Sequence, residues 1–528
     1  MTVPSYSQPQ PCDRVRLQSF PGDQPCSERD KPWILATAVL GSSIAFIEGS
    51  VVSLALPALQ SDLGVNAVDV QWVVNVYLLV LGAFTLIGGS LGDRFGLRRI
   101  FVLGNVVFAV GAFGCAAASS FPALVAARLV QASGSALLIP TSLGLIGSHF
   151  GKAERGRAIG TWAGASALTT ALGPVLGGWL VDEWNWQAVF VLVAPLAVLT
   201  AGMALWRVPK SPARTDRKLD YVGASLLAVS LASLIFAVVS TSPTLFRGTV
   251  AVVAAGLGGA FVWREARFQA PLLPFGLFTS SAFSGANFVT LLLYGALSGA
   301  LYFLPFNLIQ VQGYSATEAG AAFLPMTILL GVGSTFAGDA LRKFPARALL
   351  TAGPLVAGCG FAALAAPGRD ASYVAGFLPG IVLLGIGLTL SVAPLTTVVL
   401  DSVDEDDVGV ASGVNNTVSR LAGVLAVGAL TAAAIAWFSG ALEVSLQASG
   451  LPPSDVRMVV AEAPKLAELE PPPDLEASVR SLIRHAVSGA YVGTFRRIAI
   501  VCAALSVISG AIAWFTLGHI TRSTRPAA

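Results

Sequence analysis

Charge is scarce in this chain. Asp, Glu, Lys and Arg make up only 12% of its 528 residues, about half the share of a soluble fold of this length. That scarcity excludes an ordinary water-soluble globular protein. Histidine is rarer still: His149, His485 and His519 stand alone in loops or near the ends of apolar runs and assemble no catalytic set. The five cysteines, Cys12, Cys26, Cys115, Cys359 and Cys502, have neither the pattern of a disulfide framework nor metal-ligand spacing. No phosphate-binding loop of the Gly-x-x-x-x-Gly-Lys-Ser/Thr type precedes a soluble nucleotide domain, which argues against ATP hydrolysis. A net charge of +3 leaves no basic stripe for nucleic acid. No cofactor and no metal are expected. The first 32 residues are polar and rich in proline, without the apolar core of a cleavable signal, so the first apolar run is expected to act as its own insertion signal.

What the chain has is apolar length. Hydrophobic residues reach 55% and mean hydropathy is +0.74. Runs of roughly 20 apolar residues, enough to cross a bilayer, lie near 33–57, 70–91, 100–119, 121–147, 158–181, 187–206, 221–240 and 247–263. Six more lie near 283–310, 319–338, 347–366, 372–400, 408–437 and 495–517, which makes fourteen expected spans in an all-α polytopic membrane protein. Lys and Arg concentrate in alternate loops, among them Arg94, Arg98, Arg99, Lys152, Arg155, Arg157, Lys210, Arg214, Arg264, Arg267, Lys343 and Arg347. By the positive-inside rule that side, with both termini, is expected to be cytoplasmic.

The turn Gly89-Ser-Leu-Gly-Asp-Arg-Phe-Gly-Leu-Arg-Arg-Ile100 packs small residues, an acid and three bases between two spans, a composition suited to a latch and pointing to a transporter rather than an enzyme. A weaker echo, Gly338-Asp-Ala-Leu-Arg-Lys-Phe-Pro-Ala-Arg347, follows the tenth span. The two positions correspond if the chain comprises a cytoplasmic tail (1–32), a six-span bundle (33–206), a linker carrying two inserted spans (207–282), a second six-span bundle (283–520) and a short cytoplasmic tail (521–528). Within the second bundle, residues 438–494 read as a long external loop, interrupted by Pro452-Pro453 and Pro471-Pro472-Pro473, with a surface helix N-capped by Asp474 and carrying Leu475, Val479 and Leu482 on one face.

Four motifs then carry a resemblance. Gly89 to Arg99 resembles motif A of the major facilitator superfamily, with Leu97 where a basic residue is common. Arg128-Leu-Val-Gln-Ala-Ser-Gly134, continuing to Pro140, resembles motif B, with Ala132 at a usual glycine. Leu172-Gly-Pro-Val-Leu-Gly-Gly178 resembles motif C, which is associated with antiporters. Phe46-Ile-Glu-Gly-Ser-Val-Val-Ser-Leu-Ala-Leu-Pro57 is similar to the first-span signature, with Glu48 at the usual aspartate and Ser53 at a usual asparagine. Together they resemble the fourteen-span drug/proton antiporters of the EmrB/QacA type. That resemblance implies a major facilitator fold in a bacterial inner membrane, multidrug efflux driven by a proton gradient, and amphipathic small molecules, protons and membrane lipid as partners; it leaves a periplasmic adaptor undefined.

Depth assigns the candidate sites. At 1.5 Å per residue Glu48 lies roughly 13 Å below the surface and Arg128 roughly 10 Å, so the two are expected to meet and serve proton coupling. A carboxylate at that depth costs about 2.5–3.5 kcal/mol on insertion scales and must face a cavity or a partner. Gln131 falls one turn from Arg128. Asp93 is expected at the N-terminus of the thirteenth span, Val408 to Gly413, as a cytoplasmic gate with Gly89, Arg94, Gly96, Arg98 and Arg99. The run Asp404 to Asp407 faces the gate arginines or caps that span. Gly173, Pro174, Gly177 and Gly178 should permit close packing of the fifth span. Gln131, Trp72, Tyr77, Asn415 and Arg420 are the candidates for a substrate cavity, with Phe84 and Trp162 as further stacking faces. An exporter dedicated to a single native metabolite, siderophore or lipid is the alternative, and a non-transporting membrane sensor is a third.

Overall fold

The structure is a computed structural model that describes residues 30–150, 152–210, 220–239, 244–268, 275–403, 408–472 and 475–517. The Asp93 side chain, the run Asp404 to Asp407, Asp474, His519, Cys12 and Cys26 lie outside the described residues, as do the side chains of the Gly338 to Arg342 echo. No strand occurs among the described residues. The helices are α1 (Lys31–Leu63), α2 (Ala67–Phe95), α3 (Leu97–Ala116), α4 (Phe121–His149), α5 (Lys152–Glu183), α6 (Gln187–Arg207), α7 (Tyr221–Val239) and α8 (Thr244–Glu265). They continue with α9 (Ser281–Phe306), α10 (Ala316–Ala321), α11 (Leu324–Lys343), α12 (Ala346–Leu364), α13 (Leu378–Asp401), α14 (Val408–Ala448), α15 (Pro453–Ala461) and α16 (Ala477–Thr516).

Each expected apolar run falls on helix, because in hydrocarbon every backbone N–H and C=O must be paired within its own segment. Among the described residues eleven helices are long and apolar enough to cross a membrane. Local chemistry sets the boundaries. Asn66 accepts the amides of Val68 and Asp69, each at 2.9 Å, and starts α2. Gly96, at φ 96°, turns the chain between α2 and α3 where a side chain would be strained. Two expectations are corrected. The tenth run begins where Ser315 and Glu318 form a capping box, and a turn at residues 322–323, just before Pro325, divides it into α10 and α11. Residues 438–494 are not a loose loop: α14 continues to Ala448, α16 begins at Ala477, and α15 with a 3-10 turn at Ala463–Glu468 packs between them.

Helices α1 to α6 pack on one another, and α9, α11 to α14 and α16 form a second group; α7 pairs with α8 and leans on both α2 and α14. One end of the bundle, termed the basic end, carries guanidinium groups stacked on tryptophans: Arg207 lies 4.0 Å from the Trp206 ring, Arg267 4.3 Å from Trp263 and Arg347 3.8 Å from Trp514. Such pairs suit a membrane interface, where the ring is half in hydrocarbon and the cation in water.

At the opposite end, termed the cap end, the two groups are fastened together. The Asp182 carboxylate at the end of α5 accepts the Ala316 amide at 2.9 Å, the Thr317 amide at 2.7 Å and the Thr317 hydroxyl. The helices below are in backbone contact. A Cβ on Gly178 would strike the Ala316 carbonyl, and one on Gly320 would strike the Pro174 carbonyl. Tyr302 on α9 donates to the Ala67 carbonyl at 3.3 Å, a further link between the groups.

The cap closes over this end. Val456, Val459, Ala463, Leu466 and Leu469 are buried with Leu442, Leu446, Ile483 and Tyr491 in one continuous core. Gln60 of α1 donates to the Lys465 carbonyl at 2.9 Å, and Gln310, beyond α9, donates to Glu468. Between these grips Leu466 is held at φ 55°, ψ −127°, a conformation worth about 1–3 kcal/mol of strain that docking must offset. Burial, then the neighbouring Glu470, pushes the Glu468 carboxyl up to about 7, against the opposing effect of the Gln310 bond. The Gln310 amide oxygen has no partner and can accept the proton of a neutral Glu468. Lys465 does not neutralise the site, being paired at 2.6 Å with Glu462.

Two outcomes follow for the cap end. Because the Glu468 carboxyl is raised when docked, docking is supported in full below its ordinary value of 4.5 and loses support as pH rises through about 7. Protection of residues 453–470, taken as the exchange rate relative to the intrinsic base-catalysed rate at each pH, should therefore be weaker at pH 8 than at pH 6, and that difference should vanish in Glu468→Gln. Separately, Gly178→Val overpacks the α5–α10 contact at about 1–3 kcal/mol. Labelling of a cysteine at Ser53 by an impermeant maleimide from the cap side should rise roughly tenfold; unchanged labelling would mean that closure does not depend on this contact.

Candidate transport site

The site begins with two charges that hydrocarbon cannot solvate singly. Glu48 on α1 and Arg128 on α4 are both essentially fully buried, and the Arg128 Nη1 donates to Glu48 Oε1. The same nitrogen donates to Gln131 Oε1 at 2.8 Å, and Nε donates to the Val73 carbonyl at 2.9 Å. The guanidinium lies 4.5 Å from the Tyr77 ring centroid and 5.6 Å from that of Phe190. Tyr77 is anchored in turn by donation to the Ala45 carbonyl at 3.1 Å and by a 2.8 Å hydroxyl pair with Ser135. Helices α1, α2, α4 and α6 thus converge on one cation.

The acid is less completely satisfied than the base. Glu48 Oε2 has no hydrogen-bond partner, nor has Gln131 Nε2. A buried carboxylate oxygen without a donor costs on the order of 1–3 kcal/mol, a cost that a bound proton or a water removes. One residue along α1 the environment changes: Phe46, Gly49, Ser53 and Leu54 line a cavity of about 240 Å³ that is bounded across the seam by Leu301, Pro305, Phe323, Met326 and Thr327. Pro174 of α5 completes the wall. A Cβ on Gly49 would meet open space. The lining is almost wholly apolar, with Ser53 and Thr327 as its hydroxyls.

The expected cavity residues are distributed differently. Tyr77 and Gln131 belong to the buried charge cluster and do not line the cavity. Trp72 stacks on Phe236 of α7 with centroids 6.0 Å apart, and Trp162 donates to Ser42 at 2.9 Å within the first group. Asn415 is tied to α9, donating to Thr290 Oγ1 at 2.7 Å and Asn287 Oδ1 at 3.2 Å. Arg420 lies where α14 crosses α2: a Cβ on Gly82 would sit 3.6 Å from the Arg420 Cβ. A Cβ on Gly423 would meet Ser298 of α9 first, with Leu78 of α2 at 3.8 Å. Of the motif C residues, Pro174 reaches the cavity and Gly178 the contact with Ala316, while a Cβ on Gly177 would press on Val51 of α1.

At the basic end, Arg98 donates to the Leu205 carbonyl at 2.6 Å, capping the C-terminus of α6. Arg94 lies 5.5 Å from the Phe95 ring and Arg99 is exposed. Gly89 lies beside Pro140. Sequence reasoning missed Asp182, Gly320 and Gln60, which join the groups at the cap end, Glu468, which holds the cap to the segment after α9, and Asn75, both of whose amide atoms are buried without a partner. A readable signal existed only for the first, in the capping box at Ser315 to Glu318, whose helix start invites a second carboxylate.

Comparison with known proteins agrees with this architecture. The multidrug resistance protein Stp of Mycobacterium tuberculosis is 30% identical over 81% of this chain and 80% of its own length. The tetracenomycin C resistance and export protein of Streptomyces glaucescens is 29% identical over 92% of each. A methylenomycin A resistance protein of Bacillus subtilis is 31% identical over 77% of this chain and 89% of its own length. Among solved structures, a bacterial homologue of the human lysosomal transporter Spinster, inward-facing and occupied, superposes with a TM-score of 0.67 at 17% identity, covering 93% of this chain and 97% of the other. The inward-open xylose transporter XylE of E. coli gives 0.56 at 14% identity, covering 91% and 95%. Residues 38–427 match the family described as Major Facilitator Superfamily. With that match spanning most of the chain, and the helical bundle sharing the fold of solved transporters, the chain belongs to the Major Facilitator Superfamily of membrane transporters.

Proposed function

We propose that this transporter exports amphipathic small molecules from a bacterial cell in exchange for protons entering through Glu48. The observation that carries the reading is the divided state of the Glu48 carboxylate: one oxygen is held by Arg128 and the other has no partner, one residue from a cavity shared by both halves of the molecule. A proton on Oε2 weakens the hold of Arg128 and alters how α1 packs against α4, which is the two-state element that coupling requires. The topology in this proposal has fourteen spans in the inner membrane, two six-helix bundles with α7 and α8 inserted, and both termini and the basic end in the cytoplasm. The cap end then faces outward, and the fastening by Asp182, Gly178 and Gly320 closes the outward side. The cycle runs by alternating access: facing outward, Glu48 takes a proton and cargo leaves; facing inward, the proton departs and cargo binds. Motif A at Gly89 to Arg99, with Asp93, is assigned to the cytoplasmic gate that closes in the opposite state.

A second reading, dedication to one native compound, draws support from the relatives, since one is named for export of tetracenomycin C. Breadth of substrate separates the two. Purified protein in liposomes with an imposed pH gradient is expected to release protons on addition of members of a panel of amphipathic dyes that spans both charges, ethidium included in the panel. The response should be lost in Glu48→Gln. Movement that persists in the variant would assign coupling to another acid, and silence toward the whole panel would favour the dedicated exporter. Filling the cavity tests the cargo path independently. Gly49→Leu has room for its side chain, so its melting temperature should stay within about 4 °C of wild type while dye transport falls severalfold.

A further inference from the structure

Charge balance in the middle of the bundle is uneven. In the middle turns of the helices that face the seam, the charged side chains are Glu48, Arg128 and Arg420. Glu48 and Arg128 neutralise one another. Among the described residues Arg420 makes no hydrogen bond and no ion pair, and it is partly exposed. It lies within electrostatic reach of Tyr77, whose hydroxyl points toward α1 and α4. The guanidinium is therefore on the interior side of α14 and not on the lipid side. An unmatched cation at this depth needs water or an anion.

The surroundings suit a polar head group. Gln71, Asn75, Leu78 and Gly82 recur at helical spacing along the stripe of α2 that meets α14, and Asn75 presents two amide atoms without partners and Gln71 one. Asn416 is exposed on α14 one turn from Arg420. The polar groups and the cation thus gather at the α2–α14 seam, separate from the apolar cavity at the α1–α5–α9–α11 seam.

We infer that the cargo of this exporter carries an acidic group, a carboxylate or an ionised phenol, and that Arg420 receives it by paired guanidinium hydrogen bonds. The inference rests on the exporter reading above and names the class of molecule exported. It also places a demand on coupling. A proton on Glu48 adds positive charge near the site, so electrostatics alone would tighten anion binding in the proton-loaded form. The exclusion that exchange requires is then conformational: Arg420 lies on a seam that rearranges as the halves rock, whereas Glu48 and Arg128 lie inside the first bundle.

Two dyes with the same xanthene ring system test the assignment, fluorescein as the anion and rhodamine 6G as the cation. Binding is read by fluorescence anisotropy on the full chain in nanodiscs, which requires no transport. Fluorescein should bind the wild type more tightly than rhodamine 6G, and Arg420→Gln should weaken fluorescein roughly 10- to 100-fold with rhodamine unchanged. Arg420→Lys should recover part of the loss. Glu48→Gln should bind fluorescein at least as tightly as wild type. Preference for rhodamine, or equal losses of both dyes in a folded Arg420→Gln, overturns the inference. Proton-coupled transport of the same dyes in liposomes is scored separately: binding that follows Arg420 without any coupled transport refutes the exporter reading and leaves the anion site standing.

Discussion

A carboxylate and a guanidinium joined in the centre of an apolar bundle constrain everything around them. Neither ion can be left in hydrocarbon alone, because removing one partner of a buried pair costs about 3–5 kcal/mol. Helices α1 and α4 must therefore stay in register, and Val73, Gln131, Tyr77 and Phe190 are recruited to satisfy the remaining faces of the cation. The first group of helices is consequently held as one body for as long as the pair is intact. Around the cation few bonds are left unmade, with Glu48 Oε2 and Gln131 Nε2 the atoms without partners.

The seam between the groups follows a different rule. There the chain relies on glycine and on bonds to backbone: Gly178 and Gly320 bring α5 against α10 and α11, and Asp182 holds amides at a helix start. Contacts of this kind are tight when made and leave no stranded ion when broken, since a carboxylate at the water interface rehydrates. Cohesion within each group and reversibility between them thus arise from different residue types.

Much of this was legible in the sequence. Apolar run length located the helices, and the equal depths of Glu48 and Arg128 anticipated their contact. The aromatic assignments fared differently: Trp72 and Tyr77 are on one helix but diverge toward α7 and α4, since side-chain direction depends on rotation about the helix axis and not on depth alone. The ordered cap was hidden because its prolines read as breakers, whereas Pro452 and Pro453 stand at the start of α15, where a missing amide is no loss. Cross-group contacts such as Gly320 with Pro174 leave no local pattern, being set only when distant helices dock.

The length of α14 has a mechanical consequence. At 41 residues it measures roughly 60 Å, about twice the hydrocarbon thickness, and α16 at 40 residues matches it. The cap is slung between these two beams, both rooted in the second group, and touches the first group at α2 and, through Gln60, at α1. It needs no hinge of its own. A tilt of about 10° between the groups, acting over an arm of roughly 30 Å, would carry its tip about 5 Å, a swing within the range of rigid-body domain motions and enough to part the Gln60 contact, so the cap behaves as a door fixed to a moving frame.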